Sequence, residues 1–152
     1  MFVNMKLFLF IFLFKNSNND AILKYAESNI GRKVGRGVCN ELIDSSIVSI
    51  AGHFKKGHKK NYYYDLKKVS KNNVKPGDFM IIYRCDIVGR GYVIKASSHI
   101  SIVKSLNDSI ITVIEQNTDG ALNKSIVKET TFNINNIVKR NNGDYCFRRF
   151  TY

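Results

Sequence analysis

Apolar and polar positions follow three regimes along the chain. Residues 7–14 are continuously apolar, with Lys6 ahead of them and Lys15-Asn16-Ser17-Asn18-Asn19-Asp20 behind. So short a run cannot cross a bilayer as a helix. A basic residue before a short apolar run fits a secretory signal peptide, with Met5 as the natural start of the pattern. The cleavage site is poor, because no small-x-small pair precedes Asn16. The alternatives are a buried N-terminal strand or an uncleaved anchor. Residues 1–19 are thus read as signal peptide and polar spacer, and 20–152 as one domain of a secreted protein. No other segment is suited to span a membrane, so no stable membrane insertion is expected.

The second regime is helical. Asp20 suits an N-cap, and Ile22, Tyr25, Ala26 and Ile30 form a stripe that predicts a helix over 21–29. Leu42, Ile43, Ile47, Val48 and Ile50 predict a second helix that opens at Cys39 and stops at Gly52. Between them, Ile30 to Gly35 forms a loop. Residues 53–73 are polar and irregular and read as an insertion.

The third regime is β-rich. Val74-Lys75-Pro76-Gly77-Asp78 is a turn, and Asp78 is read as one of its turn residues. Strands are predicted over 79–84, 98–106, 109–116, 125–132 and 145–150, with Gly89-Arg90-Gly91 as a hairpin tip within 86–96. Asn107-Asp108 is a tight-turn pair joining two of these runs. Two helices followed by a largely antiparallel sheet give an α+β fold with the helices packed on one side.

Composition narrows the partners. The chain has 152 residues, 44% of them hydrophobic, enough for one domain with a real core. Its net charge is +12, from 24 Lys+Arg against 12 Asp+Glu. That surplus favours polyanionic partners. The densest run, Lys55-Lys56-Gly57-His58-Lys59-Lys60, precedes Tyr62-Tyr63-Tyr64. Basic residues beside aromatics can hold single strands, but no nucleic-acid module surrounds them, and the run reads as a solvated loop. His53 and His58 lie in the same polar region. A metal site needs more clustered ligands than these, so no metal or cofactor is expected.

Candidate chemistry centres on Cys39. A thiol in the first turn of a helix meets unpaired N–H groups and the positive end of the helix dipole, which favour thiolate. By itself a lone cysteine is more often a small buried hydrophobe. His99 changes the weighting. It opens the strand His99-Ile100-Ser101-Ile102-Val103, sharing a face with Ser101 and Val103. Across the short turn runs Ile111-Thr112-Val113-Ile114-Glu115-Gln116-Asn117. Antiparallel pairing brings His99 beside Glu115 and Asn117, where a carboxylate or amide can hold one imidazole nitrogen and leave the other for a thiol.

With this ordered set the chain resembles the CHAP amidohydrolase/peptidase superfamily, within the papain-like clan that also holds the NlpC-related cysteine peptidases. The resemblance covers about residues 21–152. It rests on Cys39 opening a helix, the Lys75-Pro76-Gly77-Asp78 turn, the His99 strand and the Glu115-Gln116-Asn117 strand end. It implies Cys39 as nucleophile, His99 as base and Glu115 as the group that orients His99, with Asn117 as accessory or alternative orienter. It also implies a papain-like arrangement and hydrolysis of amide bonds in bacterial peptidoglycan. The chain departs from the pattern before the cysteine, where Gly35-Arg36-Gly37-Val38 offers no Gln as oxyanion donor. The Cys39 N–H is the substitute. Asn40-Glu41-Leu42 stands where many relatives have aromatics. Expected partners are peptidoglycan or another anionic polymer, with no nucleic acid, and the protein is expected to be a monomer. The alternatives are a papain-like enzyme acting on a protein or lipid ester, and a catalytically inactive secreted binding module of the same fold.

An odd number of cysteines in a secreted chain leaves at least one thiol free. A nucleophilic Cys39 must be that one. Cys85 and Cys146 then form either a bridge within the sheet or two separate buried thiols.

Overall fold

A computed structural model describes residues 17–51, 66–89, 92–117 and 125–151. The signal segment through Asn16, the 55–60 basic run, Gly52, His53, His58 and the Arg90-Gly91 tip lie outside them. The architecture is α+β: two helices and a six-stranded antiparallel sheet.

Helix α1 spans Asn18–Ser28. It begins earlier than Asp20 predicts, because Ser17 is the N-cap. The Ser17 side chain accepts from the Asp20 N–H, and the Asp20 side chain accepts from the Ser17 N–H, a reciprocal capping box. Ile22 and Ala26 are buried, Tyr25 is half-buried, and Ile30 lies beyond the helix and is exposed. Ile30 instead forms an isolated parallel bridge with Val127.

Helix α2 spans Cys39–Ala51. Leu42, Ile43 and Ile47 are buried, and so is Ser46, whose hydroxyl donates back to the Ile43 carbonyl at 2.7 Å. Val48, counted in the apolar stripe, is exposed.

The strands are β1 (Lys67–Val69), β2 (Phe79–Gly89), β3 (Tyr92–Asn107), β4 (Ile110–Glu115), β5 (Lys128–Asn133) and β6 (Ile137–Arg149). Their order in the sheet is β1-β6-β2-β3-β4-β5. Strand β1 and a 3-10 turn at Lys71–Asn73 lie within the stretch expected to be irregular. The strand survives there because it pairs with the end of β6, not because of its own sequence. Strand β6 also begins well before residue 145, and Asp108 takes a left-handed φ of 53° in the tight turn between β3 and β4.

Each face of the sheet is buried. Phe79, Ile100, Ile102 and Ile114 pack with Ile22, Leu42, Ile43 and Ile47 from the helices. Met80, Ile82, Val103, Ile111, Val113 and Phe147 form a second core on the opposite face. No α-helix covers that face among the described residues; the 3-10 turn Ile134–Asn136 adds Ile134 to it, the sheet curls, and β2 reaches β5 although two strands separate them.

Of the two alternatives for Cys85 and Cys146, the structure shows separate thiols: all three cysteines are free. Cys146 lies opposite Ile81, four positions along β2 from Cys85. At about 3.3 Å per residue that offset alone exceeds the Cα separation a bridge allows. The faces differ too. Ile81 packs on the helix-side core, whereas Cys85 belongs to the other core. A bulge at Arg84, with φ 48°, resets the alternation between them.

Candidate active site

The site lies where the helix layer meets an open stretch of β3. Val103 directs its N–H and C=O at Asp78 and Gly77 on the β2 side. Alternation then turns the N–H groups of Ile102 and Ile100 toward β4. The β3–β4 ladder begins at Ile102↔Ile114, so Ile100 has no strand opposite it on that side. The N-terminus of α2 occupies the gap, and the Ile100 N–H donates to the Cys39 sulfur. The Asn40 N–H, in the first turn of α2, donates to it as well.

His99 is buried and hydrogen-bonds the Cys39 side chain. Its Nε2 lies 2.9 Å from Glu115 Oε2. With Nε2 engaged, Nδ1 is the ring nitrogen left for the thiol. The second Glu115 oxygen, Oε1, accepts from the Thr130 hydroxyl on β5. Glu115 is only 2% exposed, so its charge is compensated by these partners and not by solvent.

The electrostatics favour an ion pair. Burial works to raise the Cys39 thiol. The hydrogen bond and charge of His99, then the Ile100 and Asn40 N–H groups, outweigh it and hold the thiol below its ordinary value. Burial likewise works against a charged His99. Its hydrogen bonds to Cys39 and Glu115, with their charges, outweigh burial and raise it to about 9. Both shifts favour thiolate beside imidazolium over the neutral pair. Such a thiolate is a nucleophile, and the imidazolium beside it is a proton donor.

Asn117 stands apart from that contact. It takes a left-handed φ of 67° just past β4, and its Oδ1 accepts from the Ser125 hydroxyl at 3.1 Å. Cys39, His99 and Glu115 are therefore brought together, while Asn117 is directed at Ser125.

Two contributors escaped the sequence reading. Thr130 left no local signal, because its role depends on β5 pairing with β4. Gln116 left one: alternation places it opposite Glu115, a polar residue turned toward an apolar helix layer. It is fully buried and holds the loop before the nucleophile. Its Oε1 accepts from the Val34 N–H at 2.8 Å, and its Nε2 donates to the Val34 and Val38 carbonyls at 3.0 and 3.1 Å. On the outer side, Glu41 accepts from the Arg36 N–H and pairs with Arg36 Nε at 2.8 Å. Gly35 is required there: it has φ +56°, and a Cβ would come within 2.6 Å of Glu41 Oε2.

Among the described residues, no group of three His, Cys, Asp or Glu side chains is placed to hold a metal ion, and no helix is long and apolar enough to cross a membrane.

No family model matches the chain, and no curated protein matches it. Among solved structures, the crystal structure of Ly7917 shares the fold. It aligns with a TM-score of 0.56 at 14% identity over 88% of this chain. The chain spans 62% of the length of that protein. At this identity the likeness concerns fold alone.

Proposed function

We propose that this protein is a papain-like cysteine amidohydrolase or peptidase that cleaves amide bonds in bacterial peptidoglycan, acting outside the cell. The observation that carries the reading is the Cys39–His99–Glu115 contact: a helix-start thiol held below its ordinary value by a histidine that a buried carboxylate orients. A non-catalytic module has no need of that ionisation. The choice of peptidoglycan over a protein or lipid ester draws on the resemblance to the CHAP superfamily and on charge. The net charge is +12, and Lys67, Lys68, Lys75 and Arg149 line a hollow of about 280 Å³ at the β1 edge. Such a surface attracts an anionic cell wall.

In this mechanism the Cys39 thiolate adds to the amide carbonyl carbon, forming a C–S bond. The oxygen becomes an oxyanion. Its collapse breaks the C–N bond as the His99 imidazolium gives its proton to the leaving amine. Water, deprotonated by neutral His99, then attacks the thioester and releases the acid and Cys39. Glu115 keeps the imidazole in place throughout and stabilises its charged form.

The test is digestion of purified peptidoglycan, with the products sorted by mass. Release of fragments bearing newly freed amino groups, abolished in Cys39→Ala, is expected. No release by the wild type, or equal release by Cys39→Ala, overturns the reading.

A further inference from the structure

Gln116 does more than fill the interface between sheet and loop. Both hydrogens of its amide nitrogen are used, one on the Val34 carbonyl and one on the Val38 carbonyl. The Val38 carbonyl also accepts the Glu41 N–H at 3.1 Å, the opening bond of α2. Two donors therefore fix the direction of that carbonyl. The Val38–Cys39 peptide is planar and trans, as all peptide bonds described here are, so the Cys39 N–H points opposite to the Val38 C=O. Holding one end of this unit aims the other. The Cys39 N–H belongs to the first residue of α2 and has no intrahelical acceptor. It points away from Gln116, on the same residue as the attacking sulfur.

We infer that Gln116 is a positioning residue: by gripping the Val38 carbonyl it presents the Cys39 N–H as the oxyanion donor. This rests on the hydrolase reading above. It also answers the missing Gln before the cysteine. The chain keeps a glutamine at the site, but one that acts on the backbone donor from the β4 side. A donor held in advance is worth most, because no reorganisation is needed as charge develops.

Two reactions of Cys39 separate this role from simple support of the loop. Alkylation by iodoacetamide needs the thiolate but develops no oxyanion. Acylation by p-nitrophenyl acetate needs both: the sulfur bonds to the acetyl carbon, the oxyanion forms, and its collapse expels p-nitrophenolate. Each is followed on Cys39 by peptide mass spectrometry, so that Cys85 and Cys146 do not contribute. The variants are Gln116→Met, which removes all three hydrogen bonds, and Gln116→Glu, which retains an acceptor for Val34 and serves if Gln116→Met does not fold. Acylation is expected to fall about 100-fold, the scale of one lost oxyanion donor. Alkylation is expected to keep its rate within about twofold, with an unchanged pH midpoint. Equal losses in the two reactions, or no loss in either, overturn the role of Gln116. A wild type that is alkylated but never acylated overturns the hydrolase reading and the inference with it. Normal acylation in both the wild type and the variant overturns only the inference.

Discussion

Among the described residues two carboxylates are buried, Glu115 and Asp78, and they are used in opposite ways. Asp78 is fully buried in the turn before β2. It accepts from Arg149 Nε and Nη2 at 2.7 Å each, from Asn19 Nδ2 at 2.8 Å and from the Lys75 N–H at 2.8 Å. It is an anchor joining α1, the turn and the last strand, and not merely the turn residue its Pro-Gly-Asp setting suggests. Gly77 beside it has φ +84°, and a Cβ there would come within 2.1 Å of the Asn19 carbonyl oxygen. Arg149 cannot lose its proton in the working pH range, so Asp78 faces a fixed cation that cannot exchange a proton with it. Glu115 faces a histidine instead, and that histidine faces a thiol. Its cluster has more than one charge state and can move a proton. Burial by itself does not mark chemistry; the ability of the partner to titrate does.

The largest effect expected is on the reactive side of this comparison. Cys39→Ala and His99→Ala should each lower peptidoglycan hydrolysis at least about 10³-fold, as in other nucleophile–base sites, with little change in thermal midpoint. Glu115→Ala should cost less if water can hold the imidazole. Full activity in Cys39→Ala would end the distinction drawn here.

Asp78→Ala should do the reverse. Removing the anion leaves a partly buried Arg149 uncompensated and should destabilise the fold by about 3 kcal/mol in urea titration. The pH midpoint of Cys39 alkylation should not move. A loss below about 1 kcal/mol would mean that the pair behaves as a surface salt bridge.

Glu115→Gln tests titration directly. Raised from 6.5 to about 9, His99 contributes stability that is fully present below pH 6.5 and lost as pH rises through about 9. Hydrolysis should follow a bell, rising through the lowered Cys39 value and falling near pH 9 as the imidazolium is lost. Without the carboxylate charge, the alkaline limb should move toward acid by about one pH unit. An unmoved limb would show that Glu115 holds His99 by shape alone.

Charge reversal at Lys67 and Lys75 addresses the wall, not the chemistry. Binding to cell walls should weaken several-fold and lose much of its salt dependence, since exposed charges are screened beyond about 8 Å at physiological ionic strength. Hydrolysis of a soluble fragment should be unchanged. Wall binding insensitive to salt in the wild type would point to a shape-specific pocket. The smallest effect belongs to Thr130→Val, which frees one Glu115 oxygen and should slow hydrolysis about two- to fivefold.

Several features followed from sequence alone because local rules govern them. Cys39 opens α2 because glycines precede it and an apolar stripe follows. Alternation along β3 puts His99 on the face of Ser101 and Val103, and the Asn107-Asp108 turn returns the chain so that the end of β4 arrives near it. Each depends on residues near one another in sequence. The tertiary structure decided the rest. Asp78 meets Arg149 across 71 positions, and Thr130 reaches Glu115 only through β5. Gln116 grips a loop 78 to 82 residues away, and the bulge at Arg84 puts Cys85 and Cys146 on opposite faces. Pairing partners and bulges are settled by which surfaces the folded chain can bury together, and no local pattern encodes that choice.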